Sequence, residues 1–144
     1  MNLNLINQAK LIHAVNAANW SGSTSTAKYV SLKNYGRCYI WINTGAIADG
    51  TGAVTVTQAT AVAGTGAKAL SYDHYYSDTG TANLLAKTTC STTFNLATAS
   101  RQYVIPIDPA QLDCNPTGTP YDCASTEVIP KSSSWDIIKA FAPL

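Results

Sequence analysis

The side chains in this sequence that could do chemistry are two histidines, four cysteines, a scatter of acids and one lysine that follows a Gly-x-Gly turn, and their spacing decides what is open to them. His74 sits beside Asp73 with Asp78 four residues on, a grouping that could pass protons in general acid–base work. His13 is far away in sequence, and neither histidine lies near a serine or cysteine in a nucleophile turn such as G-x-S-x-G. A glycosidase pair is not legible either, because carboxylate separation is a property of the fold. Cys38, Cys90, Cys114 and Cys123 form no CxxC pair and have no histidines at zinc spacing, so no metal site is expected. Cys38 and Cys90 read as buried thiols. Cys114 and Cys123 flank a loop with Pro116, Gly118 and Pro120 and are the candidate disulfide; the reduced pair stays open as the alternative, since a chain without a secretion signal matures in a reducing compartment. Gly64-Thr65-Gly66-Ala67-Lys68 has the look of a phosphate loop, but no Ser or Thr follows the lysine and no long helix follows the loop, so it reads as a tight turn between strands. The expectation is therefore no catalytic residue, no metal and no cofactor.

The elements that would hold these groups are strands. From Tyr29 to Leu70 the chain reads as a short extended run, a turn at Lys33-Asn34-Tyr35-Gly36, a strand over Arg37 to Thr44, a Gly-rich loop, and a second strand over Ala53 to Thr60. Side chains of a strand alternate between faces, which puts Cys38, Ile40 and Ile42 on one side and Arg37, Tyr39, Trp41 and Asn43 on the other. Val54 and Val56 continue the apolar face, and the two strands read as a paired unit needing another sheet to cover it. If the apolar side fills a core, Tyr39 and Trp41 point outward, and large outward aromatics mark either a partner contact or a surface covered by the chain's own arm.

Residues Met1 to Asn19 stay open between a thin amphipathic helix and a helical turn followed by an extended piece from Leu11 to Val15; either way they read as an arm, with Trp20 to Thr26 as a small polar linker. Asn19-Trp20-Ser21 matches a glycosylation acceptor, which has meaning only with secretion. Ser71 to Thr81 reads as a polar, aromatic loop, Leu84 to Cys90 and Thr93 to Leu96 as short strands, and Tyr103 to Ile107 as a strand whose Pro106 calls for an edge position or an orientation away from its partner. Asp108 to Leu112 fits one helical turn with Pro109 first. Tyr121 to Ile129 reads as extended, and Trp135 to Phe141 as a closing strand in competition with a helix capped by Ser134.

Length and composition agree with that alternation. A chain of 144 residues builds one core. With 12% charged residues and a net charge of +1, no field draws it to nucleic acid or to an anionic membrane. No apolar run approaches the roughly 18 to 20 residues of a membrane span, and the N-terminus lacks a signal-peptide pattern. The expected architecture is all-β: a single β-sandwich or flattened barrel of short antiparallel strands over residues 29–144, with residues 1–28 as N-terminal arm and linker.

The runs YVSLKNYGRCYIWINTG, GTGAVTVTQATAVAGTGAKAL and TFNLATASRQYVIPIDPAQLD resemble a group of small proteins from the head-gene clusters of tailed bacteriophages, the capsid decoration or cement proteins. The resemblance covers about Trp20 to Asp113, and its most specific parts are the VSLKNY and GTGAKAL turns. Tyr121-Asp122-Cys123-Ala124 and Trp135-Asp136-Ile137-Ile138 are weaker counterparts of the group's two last strands, and the Cys-bracketed loop before them is a departure. The resemblance implies a structural, non-enzymatic protein on the outer surface of the virion, assembled in the host cytoplasm. Its implied partners are the major capsid protein and copies of itself, as a homotrimer or other symmetric cluster. Candidate contacts are Leu5, Ile6, Leu11, Ile12, Trp20, Tyr39 and Trp41. The alternative is a carbohydrate-binding adhesin or a tail or head-fibre module, with Tyr72, Tyr75 and Tyr76 as its loop aromatics; an enzyme would need His74 with Asp73 or Asp78 in a deep pocket.

Overall fold

The computed structural model describes residues 9–20, 25–26, 28–47, 52–80, 85–96, 100–113, 119–129 and 133–143. Within them the chain is nearly all strand: β1 (Lys10–Trp20), β2 (Ser25–Thr26), β3 (Val30–Ser31), β4 (Tyr35–Ile47), β5 (Gly52–Ala59), β6 (Lys68–Ala69), β7 (His74–Asp78), β8 (Leu85–Thr89), β9 (Thr93–Leu96), β10 (Gln102–Ile107), β11 (Cys123–Ile129) and β12 (Ser133–Pro143), with a single 3-10 turn at Pro109–Gln111. One six-stranded sheet runs β1-β12-β4-β10-β7-β8; the second is built on β2-β11-β5-β6, with β3 added to β11 and β9 to β5. The two antiparallel sheets form the expected sandwich.

The alternation along β4 holds as read. Cys38, Ile40 and Ile42 are buried, and with Ile105 and Ile107 of β10 they form the first sheet's inner face. Val54 and Val56 of β5 and Phe94 and Leu96 of β9 belong to the same core from the opposite sheet. At about 25 cal/mol per Å² of apolar surface removed from water, this shared interior is the main term holding the layers together.

The pairing of β4 with β5 is corrected: they lie in different sheets. β4 is hydrogen-bonded to β12 on one side and β10 on the other, while β5 pairs with β11, β6 and β9. Both strands keep their apolar faces on one core, which alternation foresees; which strand lies beside which is a long-range choice that alternation leaves free. The chain before residue 29 is also more than an arm. From Lys10 it is strand β1, antiparallel to β12, with a register shift between His13 and Val15, and it contributes buried Ala14 to the core. β12 itself is a strand, as favoured over the helix.

Two further readings change. His74–Asp78, expected in a loop, is strand β7 between β10 and β8. Tyr75 stacks on Phe94 with ring centroids 4.1 Å apart, and this inward aromatic fixes the strand's orientation despite its polar neighbours. β10 lies inside the sheet, although it contains Pro106. Its ladder to β7 consists of Tyr103↔Ser77 and Val104↔Tyr76 and has ended before Pro106, which has no N–H to donate.

The turns follow their residue types. Asn34 takes φ 71°, and the Tyr35 N–H donates to the Leu32 carbonyl at 3.0 Å, closing the turn into β4. The GTGAKAL segment is the expected tight turn: Gly64 and Gly66 have φ of 80° and 64°, and the Thr60 N–H donates to Thr65 O at 3.0 Å. Asp108 caps the 3-10 turn, accepting from the Ala110 N–H at 2.9 Å, while the Gln111 side chain accepts from the Asp108 N–H at 3.0 Å.

Candidate functional site

The outer face of the first sheet carries the exposed aromatics. Away from the register shifts at its ends, the pairing of this sheet puts His13, Ile138, Trp41, Val104, Tyr76 and Lys87 in one row, a single position on each of the six strands in turn. In the row beside it Leu11 stands opposite Ala140, which pairs with Tyr39, which pairs with Pro106. Leu11 is 53% and Trp41 41% exposed, large values for side chains of this size.

Of the seven candidate contacts, the fold therefore brings Leu11, Tyr39 and Trp41 onto one face. Ile12 points the other way and is half-buried against the core, as the alternation of β1 requires. Trp20 ends β1 opposite Ser133. Leu5 and Ile6 lie outside the described residues.

Between β4 and β7, where β7 has parted from β10, the same face dips into an open groove of about 460 Å³. Pro106 belongs to its lining. Arg37 and Tyr39 come from the β4 side, Asp73, His74 and Tyr76 from the β7 side, and Asp108 and Gln111 from the capped turn at its end. The His74 and Tyr76 rings meet edge to face at 5.2 Å, interplanar angle 87°. Asp73 and His74 thus share this half-open groove. Asp78 is elsewhere: four residues along a strand put it about 13 Å from His74, and it pairs with Arg101 at 3.9 Å. Among the described residues no three metal-ligating side chains converge.

The proposed loop aromatics divide. Tyr72 is buried, its hydroxyl accepting a bond from the Cys90 thiol at 3.4 Å, and burial pushes its ionisation well above the usual phenol range. Tyr75 is packed on Phe94, so Tyr76 alone of the three faces outward into the groove. Sequence reasoning passed over Asp108 and Val104 as surface residues; the available signal was the alternation of β10, which puts Val104 and Pro106 opposite Tyr103, Ile105 and Ile107.

Cys123 carries a free thiol, and its candidate bridge partner Cys114 lies outside the described residues. The thiol is buried and donates to Asp122 at 3.0 Å; burial first, then that carboxylate, push its pKa up to about 12. Lys68, which a phosphate loop would aim at its ligand, instead pairs with Asp113 at 2.6 Å and lies 4.5 Å from the centroid of the Tyr121 ring. Asp113 also accepts from the Gln58 amide at 2.8 Å, and its own N–H donates back to Gln58 Oε1 at 2.8 Å. Gln58 is 1% exposed, and this reciprocal pair satisfies it while tying β5 to the segment after the 3-10 turn.

The class defined by these features is a two-sheet antiparallel β-sandwich that presents an aromatic outer face and a half-open groove. A solved structure with this fold is the SPBc2 prophage-derived protein YomS, which is 11% identical, with 92% of this chain and 91% of that one superposed at a TM-score of 0.53. At that identity the likeness is one of fold. No protein-family model matches the chain, and no curated protein matches it.

Proposed function

We propose that this is a bacteriophage structural protein that decorates the capsid, docking on the assembled lattice of major capsid protein through the outer face of the first sheet. The observation that carries the reading is the exposed Trp41, with Tyr39 two residues along the same strand and exposed Leu11 two strands away on the same face, which the core backs from behind. Rigid aromatics on a strand lose little freedom on binding, so most of their buried area counts toward affinity. The fold shared with a prophage-derived protein supports a phage origin, and the resemblance in the VSLKNY and GTGAKAL turns supports the decoration role.

The mechanism is linkage. A protein that binds the assembled lattice and not its loose subunits stabilises the lattice by its own binding free energy, about 2.7 kcal/mol per site when its free concentration is a hundred times Kd. Docking needs no bond-making, and the protein acts without catalysis or cofactor. Clustering with copies of itself at a symmetry point of the head would multiply the effect.

The test is occupancy on purified heads. Trp41→Ala is expected to weaken binding by about 2 kcal/mol, roughly 30-fold in Kd, while thermal unfolding is unchanged. Equal occupancy by the variant and the parent would remove this face from the proposal.

A further inference from the structure

The groove beside the docking face has a chemistry of its own that capsid docking does not use. Arg37 and Asp73 line it, and neither side chain makes a hydrogen bond or ion pair among the described residues. Asp108 lines the groove too, its Oδ1 accepting from the Ala110 N–H of the capped turn. The lining therefore offers a planar five-donor guanidinium, an imidazole and two carboxylates, together with the Tyr39 and Tyr76 rings and the Pro106 ring.

From this set we infer that the groove is a binding site for a neutral oligosaccharide. Vicinal hydroxyls both donate and accept, and so match carboxylates and a guanidinium held a few ångströms apart; the C–H faces of a pyranose match tyrosine and proline rings. Two carboxylates against one guanidinium disfavour phosphate, sulfate and acidic sugars, and among the described residues no three metal-ligating side chains converge to hold a bare cation. The groove's volume of about 460 Å³ has room for more than one sugar unit.

The site is also prebuilt. The capping box at Asp108 and Gln111 fixes one end, the edge-to-face contact holds His74 against Tyr76, and the break in the ladder at Pro106 separates β7 from β10. Binding then costs little reorganisation. The groove shares Tyr39 with the docking face but extends from it toward β7 and the 3-10 turn, so the two readings are separated by testing Trp41 for the capsid and Tyr76 and Asp73 for the groove.

The experiment is a glycan array with the full chain, followed by calorimetric titration of the best neutral hits. Binding at about millimolar Kd or tighter is expected, with a loss of at least about tenfold in both Tyr76→Ala and Asp73→Asn, typical of removing a stacking ring or a hydrogen-bonding anchor. Circular dichroism melting of each variant separates a lost site from a lost fold, and Val62→Ala, at an exposed residue between β5 and β6 of the second sheet, should bind as the parent does. Absence of any neutral glycan at millimolar concentration would overturn the inference, as would binding that Tyr76→Ala and Asp73→Asn leave intact, or a preference for acidic sugars. Capsid occupancy is read on different residues, so the failure of one reading leaves the other standing.

Discussion

At the level of single residues, the fold depends on a few polar side chains being paired where water is absent. Gln58 is the clearest: it is buried, and its amide exchanges bonds with Asp113. Gln58→Ala would strand the Asp113 N–H and open space beside β5, and is expected to destabilise the protein by about 1–3 kcal/mol in urea unfolding. The Lys68–Asp113 pair is solvated and acts through pH. The hydrogen bond to Lys68 holds the Asp113 carboxyl below its usual range, so its contribution is present at neutral pH and is lost as the pH falls through that lowered value. Lys68 is raised by the same bond, and its share is present below the ordinary lysine value and disappears as the pH rises through the raised one. The urea midpoints of the parent and of Asp113→Asn should accordingly converge as the solution is taken from neutral to about pH 2. Cys123, buried and pushed up to about 12, should resist alkylation at neutral pH in the native protein, and half-buried Cys90 should react before it; peptide mapping after timed labelling reads the order.

Elements differ in how plainly the sequence announces them. β4 alternates without exception from Cys38 to Ile42, and the turn at Gly64 and Gly66 needs residues that accept positive φ, so both are legible from residue types alone. Gly64→Ala would face the left-handed backbone penalty, and its new Cβ would lie 3.0 Å from the Tyr29 ring, so a loss of about 1–2 kcal/mol in unfolding free energy is expected. β7 was hidden because His74, Ser77 and Asp78 give it the composition of a loop, and its strand character comes from Tyr75 finding Phe94 in the other sheet. The N-terminal segment was hidden for a related reason: asparagines and alanines carry little strand signal, and β1 is held by its partner β12 more than by propensity. Removing residues 10–20 should therefore unpair β12 and lower the melting temperature, where a dispensable arm would leave it unchanged.

For the whole molecule, the two-sheet architecture could be read from composition and alternation, but the partition of β4 and β5 into opposite sheets could not. Pairing partners lie far apart along the chain, β4 with β12 and β10, and no local pattern encodes that choice. The candidate surface was half visible. Tyr39 and Trp41 follow from parity along one strand, whereas their neighbours Leu11, Val104 and Tyr76 are brought beside them only by register across the sheet. What emerges is a two-sheet sandwich whose first sheet turns Trp41 and Leu11 to solvent, the face on which the proposed docking is to be tested. The most direct measurement is co-sedimentation of the purified protein with filled, expanded phage heads lacking it, set beside unassembled capsid protein. Saturable binding to the heads alone, lost on Trp41→Ala, is the predicted result; a protein that stays in the supernatant with intact heads would contradict the account.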